Sequence, residues 1–419
     1  MVVNDRKSPH EVDPAVQSAL AAEGVTLSLG GHPAGLFAGA EVVVLSPGVP
    51  PLAEVEAAQR RGALVVGELE LGSWFAHGPL VAITGTNGKS TVTTLVGEML
   101  VASGFDTFTG GNLGTPLCEA VGSAALTPSG RCVVEVSSYQ LEATTSFRPS
   151  VAVWLNLTPD HLDRYPSLAA YGAAKARIFL HQTASDHAVV PGDDPLMVAF
   201  ARAGAAPVHT YGGEQSPVRL RGDAIVDIHG GTYPLKTLKL RGSHNVGNAM
   251  AAVLAARLVG ATPEAIGHVL ATFPGLPHRM QEVAEVGGVV WYDDSKATNV
   301  GAALKALEGV DRPVVLIAGG RDKGGSYEPL VQLLRVKGRA VVTLGEAAPL
   351  IESSLGTTVP WERATDLDDA VERAGALARS GDCVLLAPAC SSLDMFANYA
   401  ERGRAFAAAV RRRAEGGGR

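Results

Sequence analysis

The sequence predicts an α/β protein of three domains, and three observations carry that expectation. Short apolar, β-like runs alternate with segments of helical spacing along most of the chain, the pattern of mostly parallel sheets. A glycine-rich loop, Thr84-Gly-Thr-Asn-Gly-Lys-Ser-Thr91, sits between the apolar run Pro79 to Ile83 and the helix-spaced Val92 to Leu100. Finally, Phe273-Pro-Gly-Leu-Pro277 interrupts both periodicities, as Pro/Gly clusters do at domain boundaries. The expected domains are residues 1–77, 78–277 and 278–419.

In the first, strand-like Glu41 to Leu45, a turn at Ser46-Pro-Gly-Val-Pro50, a helix over Leu52 to Arg61 and strand-like Ala63 to Val66 suggest a small α/β unit. The second continues past the loop with strands at Arg131 to Val136, Val151 to Asn156 and His187 to Val190. Pro217 to Leu240 is short, alternating and broken by glycines, which predicts a small antiparallel insertion, and a helix begins near Ser243. In the third, β-like Val289 to Tyr292, Val314 to Ala318, Ala340 to Leu344 and Cys383 to Ala387 alternate with helices near Ala302 to Leu307, Glu328 to Arg335, Asp368 to Arg379 and Asp394 to Ala408. This reads as a parallel open sheet. The expected architecture is thus an incomplete Rossmann-like unit, a P-loop ATPase-type unit on a mostly parallel sheet, and a second Rossmann-like unit. A frayed tail is expected at Glu415-Gly-Gly-Gly-Arg419.

Composition narrows the function classes. Of 419 residues, 46% are hydrophobic, yet no apolar run approaches the ~20 residues of a membrane-spanning helix, so no membrane partner is expected. Met1 to His10 lacks an apolar signal core. The four cysteines, Cys118, Cys132, Cys383 and Cys390, form no CxxC pair, which disfavours disulfides and zinc and suits a reducing cytoplasm. A net charge of −7 disfavours nucleic acid, so an anionic substrate must be met by locally placed cations.

The loop supplies such a place. Gly85 and Gly88 let the backbone turn so that N–H groups and a helix N-terminus converge on phosphate oxygens, together with Thr86, Asn87 and Thr91. Lys89 would reach the outer phosphates, and Ser90 would ligate Mg²⁺. The usual spacing asks for glycine at position 83, where this chain has Ile83, which argues against generic nucleotide switches and motors. Glu135 ends an apolar strand, where it is either a metal carboxylate or a capping acid; the neighbouring loop favours metal. His161, flanked by Asp160 and Asp163 at another strand end, suits a metal ligand with an oriented ring. Lys175, alone, reads as a solvated helix lysine.

With Gly110-Gly-Asn-Leu-Gly114, Glu135-Val-Ser-Ser-Tyr-Gln140, Leu276-Pro-His-Arg279, Asp294-Ser-Lys-Ala-Thr-Asn299, Gly319-Gly-Arg-Asp-Lys-Gly324 and Pro388-Ala-Cys-Ser-Ser-Leu-Asp394, these motifs resemble the Mur ligase family from about Glu41 to the C-terminus. The resemblance implies an ATP-dependent amide ligase. Leu276-Pro-His-Arg279 points to the member that adds D-glutamate to UDP-N-acetylmuramoyl-L-alanine over other Mur ligases and folylpolyglutamate synthetases; a catalytically impaired nucleotide-binding protein is the alternative of another class. It implies two Mg²⁺ ions, held by Ser90, Glu135, His161 and a carbamylated Lys175. It places Asn112 on the muramoyl substrate, Asn245 and Asn248 on adenine, and His278, Arg279, Asp294 and Lys296 on ATP. It assigns Thr298, Lys323 and Ser392 to D-glutamate, with Tyr399 where the family commonly has phenylalanine. The expected protein is a cytoplasmic monomer. Relatives begin with a strand and a Gly-rich loop for uridine diphosphate, whereas this chain opens at Val2-Val-Asn-Asp-Arg6, resembling their second strand, with Gly30-Gly31 in a different context.

Overall fold

A computed structural model describes residues 1–46, 49–50, 52–162, 164–228, 230–240 and 242–416. Asp163, the middle of the turn expected at 46–50 and the end of the glycine-rich tail therefore lie outside the described residues.

The N-terminal part is two strand–helix–strand units. Val2–Asp5 pairs in parallel with Thr26–Leu29 through the helix Pro14–Ala22, whose start is fixed by the Asp13 cap and Pro14. Val42–Leu45 pairs in parallel with Leu64–Gly67 through the helix Ala53–Arg60, over a small core of Val43, Val55, Ala58 and Ala63. Gly30 and Gly31, both with positive φ, close the second strand.

A nine-stranded sheet follows. From one edge its order is Thr232–Pro234, Ala224–Asp227, Val218–Arg221, Val208–Tyr211, His187–Pro191, Val151–Trp154, Leu80–Thr84, Arg131–Glu135 and Thr107–Gly111. Leu80–Thr84 is buried throughout and sits between two parallel neighbours, which is why it reads as a continuous apolar run. The segment expected as an antiparallel insertion is antiparallel within itself, yet it extends the main sheet, because Tyr211 pairs in parallel with Val218. One face is covered by the helices Lys89–Ala102, Ser243–Leu258 and Pro263–Thr272, whose apolar residues join Val81, Ile83 and Val153 in one core. Ala249, Ala251, Ala252, Ala255 and Ala256 are all buried, so the Ser243–Leu258 helix is apolar nearly all round.

The C-terminal sheet has the order Gln281–Val286, Val289–Asp293, Cys383–Leu386, Val314–Gly319, Gly338–Leu344 and Trp361–Arg363. It is mixed, which corrects the parallel expectation. Gly287 and Gly288, both with positive φ, form a two-residue turn, and this geometry folds Gln281–Val286 back as an antiparallel edge strand. A second correction concerns the last helix, which starts at Tyr399 and not near Asp394. The Asn398 side chain accepts the Glu401 N–H as a cap, while the Asp394 carboxylate is engaged by the Glu346 N–H.

Candidate active site

The C-terminal ends of Leu80–Thr84, Arg131–Glu135 and Val151–Trp154 lie side by side in the large sheet, so the segments that follow them converge. Gly85 has φ 154° and Gly88 φ 84°, and a Cβ on Gly88 would stand 2.4 Å from Asn248 Oδ1, so only glycine fits there. Hydrogen bonds sew the loop to the neighbouring strand end. Thr86 N–H donates to Asn156 O, Asn87 N–H to Asn156 Oδ1 at 2.8 Å, and Thr158 N–H to the Thr86 hydroxyl at 3.0 Å. Lys89 Nζ folds onto its own loop, donating to Gly85 O and Thr86 O at 2.9 Å each. Ser90 and Thr91 are buried at the start of the helix, and Arg279 Nη2 reaches Ser90 Oγ at 3.4 Å.

Lys175 is 1% exposed, not the solvated lysine that its local sequence suggests. Its Nζ donates to Gly85 O at 2.9 Å and lies 4.5 Å from the centre of the Tyr171 ring. Burial, then the charge of Lys89, pushes its pKa well below the usual lysine range, which favours a neutral amine. Lys89 is shifted down too, mainly by burial.

Glu135 is buried, and its Oε1 accepts from Asn112 Nδ2 at 2.7 Å. Burial raises its pKa, but Lys89 and Lys296 outweigh that, so the carboxyl is held below the usual range and stays ionised. Its Oε2 is buried without a hydrogen-bond partner, a costly state that a cation would relieve. Among the described residues no three His, Cys, Asp or Glu side chains gather into a cage. Such a site fits Mg²⁺, which commonly takes one or two carboxylates and completes its shell with substrate phosphates and water.

His161 has φ 56°, its Nδ1 is 2.9 Å from the Tyr139 hydroxyl, and its ring meets Tyr139 and Tyr171 edge-on. Asp160, beside it, joins the two large sheets. Its Oδ1 accepts from Lys323 Nζ at 3.2 Å and its Oδ2 from Asn299 Nδ2 at 2.9 Å. Asn299 also caps the helix Val300–Glu308 and lies 3.4 Å from Asn87 Oδ1.

On the C-terminal side, Thr298, Lys323 and Ser392 occupy three strand-end loops that are hydrogen-bonded to one another, through Ala389 N–H to Ala297 O and the paired Arg321 and Ser391. Lys296 Nζ sits 3.8 Å from the Tyr399 ring centre, and burial brings its pKa down to about 8. Asp294 is buried and accepts the Met280 N–H; burial pushes its carboxyl up to about 7. His278, at φ 61°, is held by Asp293 at 2.7 Å. Asn245 and Asn248 pair with each other at 3.0 Å beside the glycine loop.

The structure therefore brings Lys89, Lys175, Lys296, Lys323 and Arg279 around Glu135 and Asp160. Sequence reasoning gave no role to Asn156, Tyr139, Asn299 or the hub position of Asp160. Tyr139 and Asn299 stood inside motifs already singled out, but nothing in a motif says which side chains meet.

Comparison with known proteins identifies the family. The Mur ligase middle domain matches residues 83–256, and the Mur ligase glutamate ligase domain matches residues 278–390. A protein of Anaeromyxobacter dehalogenans (strain 2CP-C) named UDP-N-acetylmuramoylalanine--D-glutamate ligase is 49% identical, over 97% of this chain and 91% of its own length. Its namesake in Geotalea uraniireducens (strain Rf4) is 44% identical, over 100% and 93%. Among solved structures, the MurF ligase of Thermotoga maritima in complex with ADP shares the fold, with a TM-score of 0.63 at 19% identity, covering 90% of this chain and 96% of that one. On this evidence the chain belongs to the Mur ligase family.

Proposed function

We propose that this chain is the ATP-dependent ligase that joins D-glutamate to the alanyl carboxylate of UDP-N-acetylmuramoyl-L-alanine, a step of peptidoglycan precursor synthesis. The observation that carries the reading is the ring of cations about Glu135 and Asp160, built from the strand ends of two sheets. Residues 78–277 would bind ATP, residues 278–419 the amino acid, and residues 1–77 the uridine end. ATP and a nucleotide-linked sugar are cytoplasmic metabolites, and we assign the reaction to a cytoplasmic monomer.

A carboxylate repels nucleophiles, and oxide is a poor leaving group, so the acid must be activated. The alanyl carboxylate would attack the γ-phosphorus in line, releasing ADP and leaving an acyl phosphate. The amine of D-glutamate, once neutral, would add to the acyl carbon, and inorganic phosphate would leave from the tetrahedral intermediate. Positioning and charge neutralisation supply most of the catalysis in such transfers. Lys89 would hold the γ-phosphate oxygens, with its N–H groups moving from the loop carbonyls onto the ligand. Arg279, beside Ser90, would add a second cation there. Glu135, Ser90, His161 and Lys175 as its carbamate would hold two Mg²⁺ ions, which would neutralise phosphate charge and polarise the transferred group. Asn245 and Asn248 would meet adenine, Asp294 and Lys296 the ribose and phosphates, and His278 the nucleotide side on closure. Asn112 would contact the muramoyl group, and Thr298, Lys323, Ser392 and Tyr399 D-glutamate.

Phosphate release from ATP with UDP-N-acetylmuramoyl-L-alanine, measured with D-glutamate, L-glutamate, L-lysine or no amino acid, tests the reading. D-glutamate alone should support turnover, and Lys89→Ala should abolish it while the protein stays folded. Turnover with L-lysine and not D-glutamate, or near-normal turnover in Lys89→Ala, would overturn it.

A further inference from the structure

The D-glutamate reading leaves open what receives the amine. We propose that Asp160 is the receptor for the ammonium group of the amino-acid substrate, paired with Lys323 as receptor for a carboxylate; the inference rests on the D-glutamate reading. A lysine alone binds any carboxylate, so it does not tell an amino acid from a plain dicarboxylate. Selecting a zwitterion takes an anion and a cation side by side. Asp160 and Lys323 meet that condition, 3.2 Å apart, with side chains 6% and 19% exposed.

The pair is also built to receive a third group. Asp160 Oδ1 accepts from Lys323 Nζ and from the His161 N–H, and Oδ2 accepts from Asn299 Nδ2 at 2.9 Å, three bonds to a carboxylate with room for about four. The His161 ring nitrogen, at 3.7 Å, is too far to fill the remaining place. Lys323 donates to Asp160 with one of its three N–H groups.

Placement gives the pair its direction. Thr158, two residues before Asp160, is bonded to Thr86 of the phosphate loop, and Asn299 spans from Asp160 toward Asn87. A nitrogen seated on Asp160 therefore lies on the phosphate-loop side of the amino acid, where the activated carboxyl would form. The carboxylates are left to the C-terminal loops.

Glutarate, which has both carboxylates of D-glutamate and no amine, separates the roles. Calorimetry would measure both ligands on the full chain with Mg²⁺, a non-hydrolysable ATP analogue and UDP-N-acetylmuramoyl-L-alanine. One charge-assisted contact predicts that the wild type binds D-glutamate about tenfold or more tighter than glutarate. In Asp160→Asn that preference should collapse, with glutarate binding confirming an intact site; Asp160→Glu, which keeps the charge, should retain part of it. Equal weakening of both ligands, or an undiminished preference for D-glutamate in Asp160→Asn, would overturn the proposal. If Asp160→Asn fails to fold, loss of all preference in Asp160→Glu overturns it and retention upholds it. A wild type that binds neither ligand and releases no phosphate with D-glutamate would instead remove the underlying reading.

Discussion

Burial pushes the Asp294 carboxyl up to about 7, against the opposing pull of Arg279 and the Met280 N–H. The unfolded chain holds an aspartate near 3.8, so folding takes up a proton between these values. The raised folded value means that Asp294 is tolerated best in acid, and that stability is lost as pH rises toward 7, by about 1.4 kcal/mol for each unit of pKa difference. Asp294→Asn should accordingly be more thermostable than the wild type. The gap should grow from pH 4 to pH 7 and level off above, and thermal unfolding across that range would show it; a gap independent of pH would count against the buried, high-pKa carboxyl. Lys175 makes the complementary case for an amine. A neutral amine can add to CO₂ and give up a proton, which would turn Lys175 into an anion able to approach a metal. Protein equilibrated with ¹³C-bicarbonate should show a carbamate ¹³C resonance that is lost in Lys175→Ala, and its absence from active enzyme would refute the modification.

At the scale of elements, Glu70 shows how one side chain ties neighbours together. It lies in the helix Glu68–Ser73, just ahead of the large sheet, and is wholly buried. It accepts the N–H groups of Thr145, Ser146 and Phe147, the hydroxyls of Thr145 and Ser146, and the Trp74 indole. Burial raises its pKa, but these donors more than offset that and hold the carboxyl below its usual value. A depressed carboxylate stabilises at neutral pH, and the contribution fades as pH falls through the folded pKa, below 4.5. Glu70→Ala should cost about 3 kcal/mol, read from the urea midpoint at pH 7, because it strands three N–H groups as well as removing a buried charge. An unchanged midpoint would show that water replaces the carboxylate. Such ties were not legible in the sequence, whereas most strands were, because a strand buried on both faces must be an apolar run. Other elements carry a local signal: Asp13-Pro14, Asp194-Pro195 and Thr262-Pro263 each start a helix with a side-chain cap followed by proline. The Gly287-Gly288 hairpin likewise stood in plain view.

Across the whole molecule, the chemistry of each motif could be read locally, but its partners could not. Asp160 meets Lys323 across 163 positions and Asn299 across 139, and only the order of strands in two sheets brings those loops together. The seam they form is polar, and the middle and C-terminal units are linked in the chain by the connector at 273–280, which has neither helix nor strand. Interfaces of that kind leave relative motion as the default expectation. Asn299 is then a sensitive point, since one amide holds Asp160 and approaches Asn87 while its oxygen caps the Val300–Glu308 helix. Asn299→Ala should loosen the seam without melting either sheet. Small-angle scattering of the ligand-free variant should give a larger radius of gyration than the wild type, and proteolysis should cut faster within 273–280. Phosphate release should fall about tenfold or more, because holding reacting groups in place supplies much of the rate and a ~1 Å misplacement costs on the order of a hundredfold. Asn299→Asp separates the two duties of this residue: it keeps the helix cap but sets two carboxylates against each other at Asp160. If the seam governs activity, it should be as impaired as Asn299→Ala while unfolding closer to the wild-type temperature; wild-type turnover and scattering in both variants would show that closure is held elsewhere.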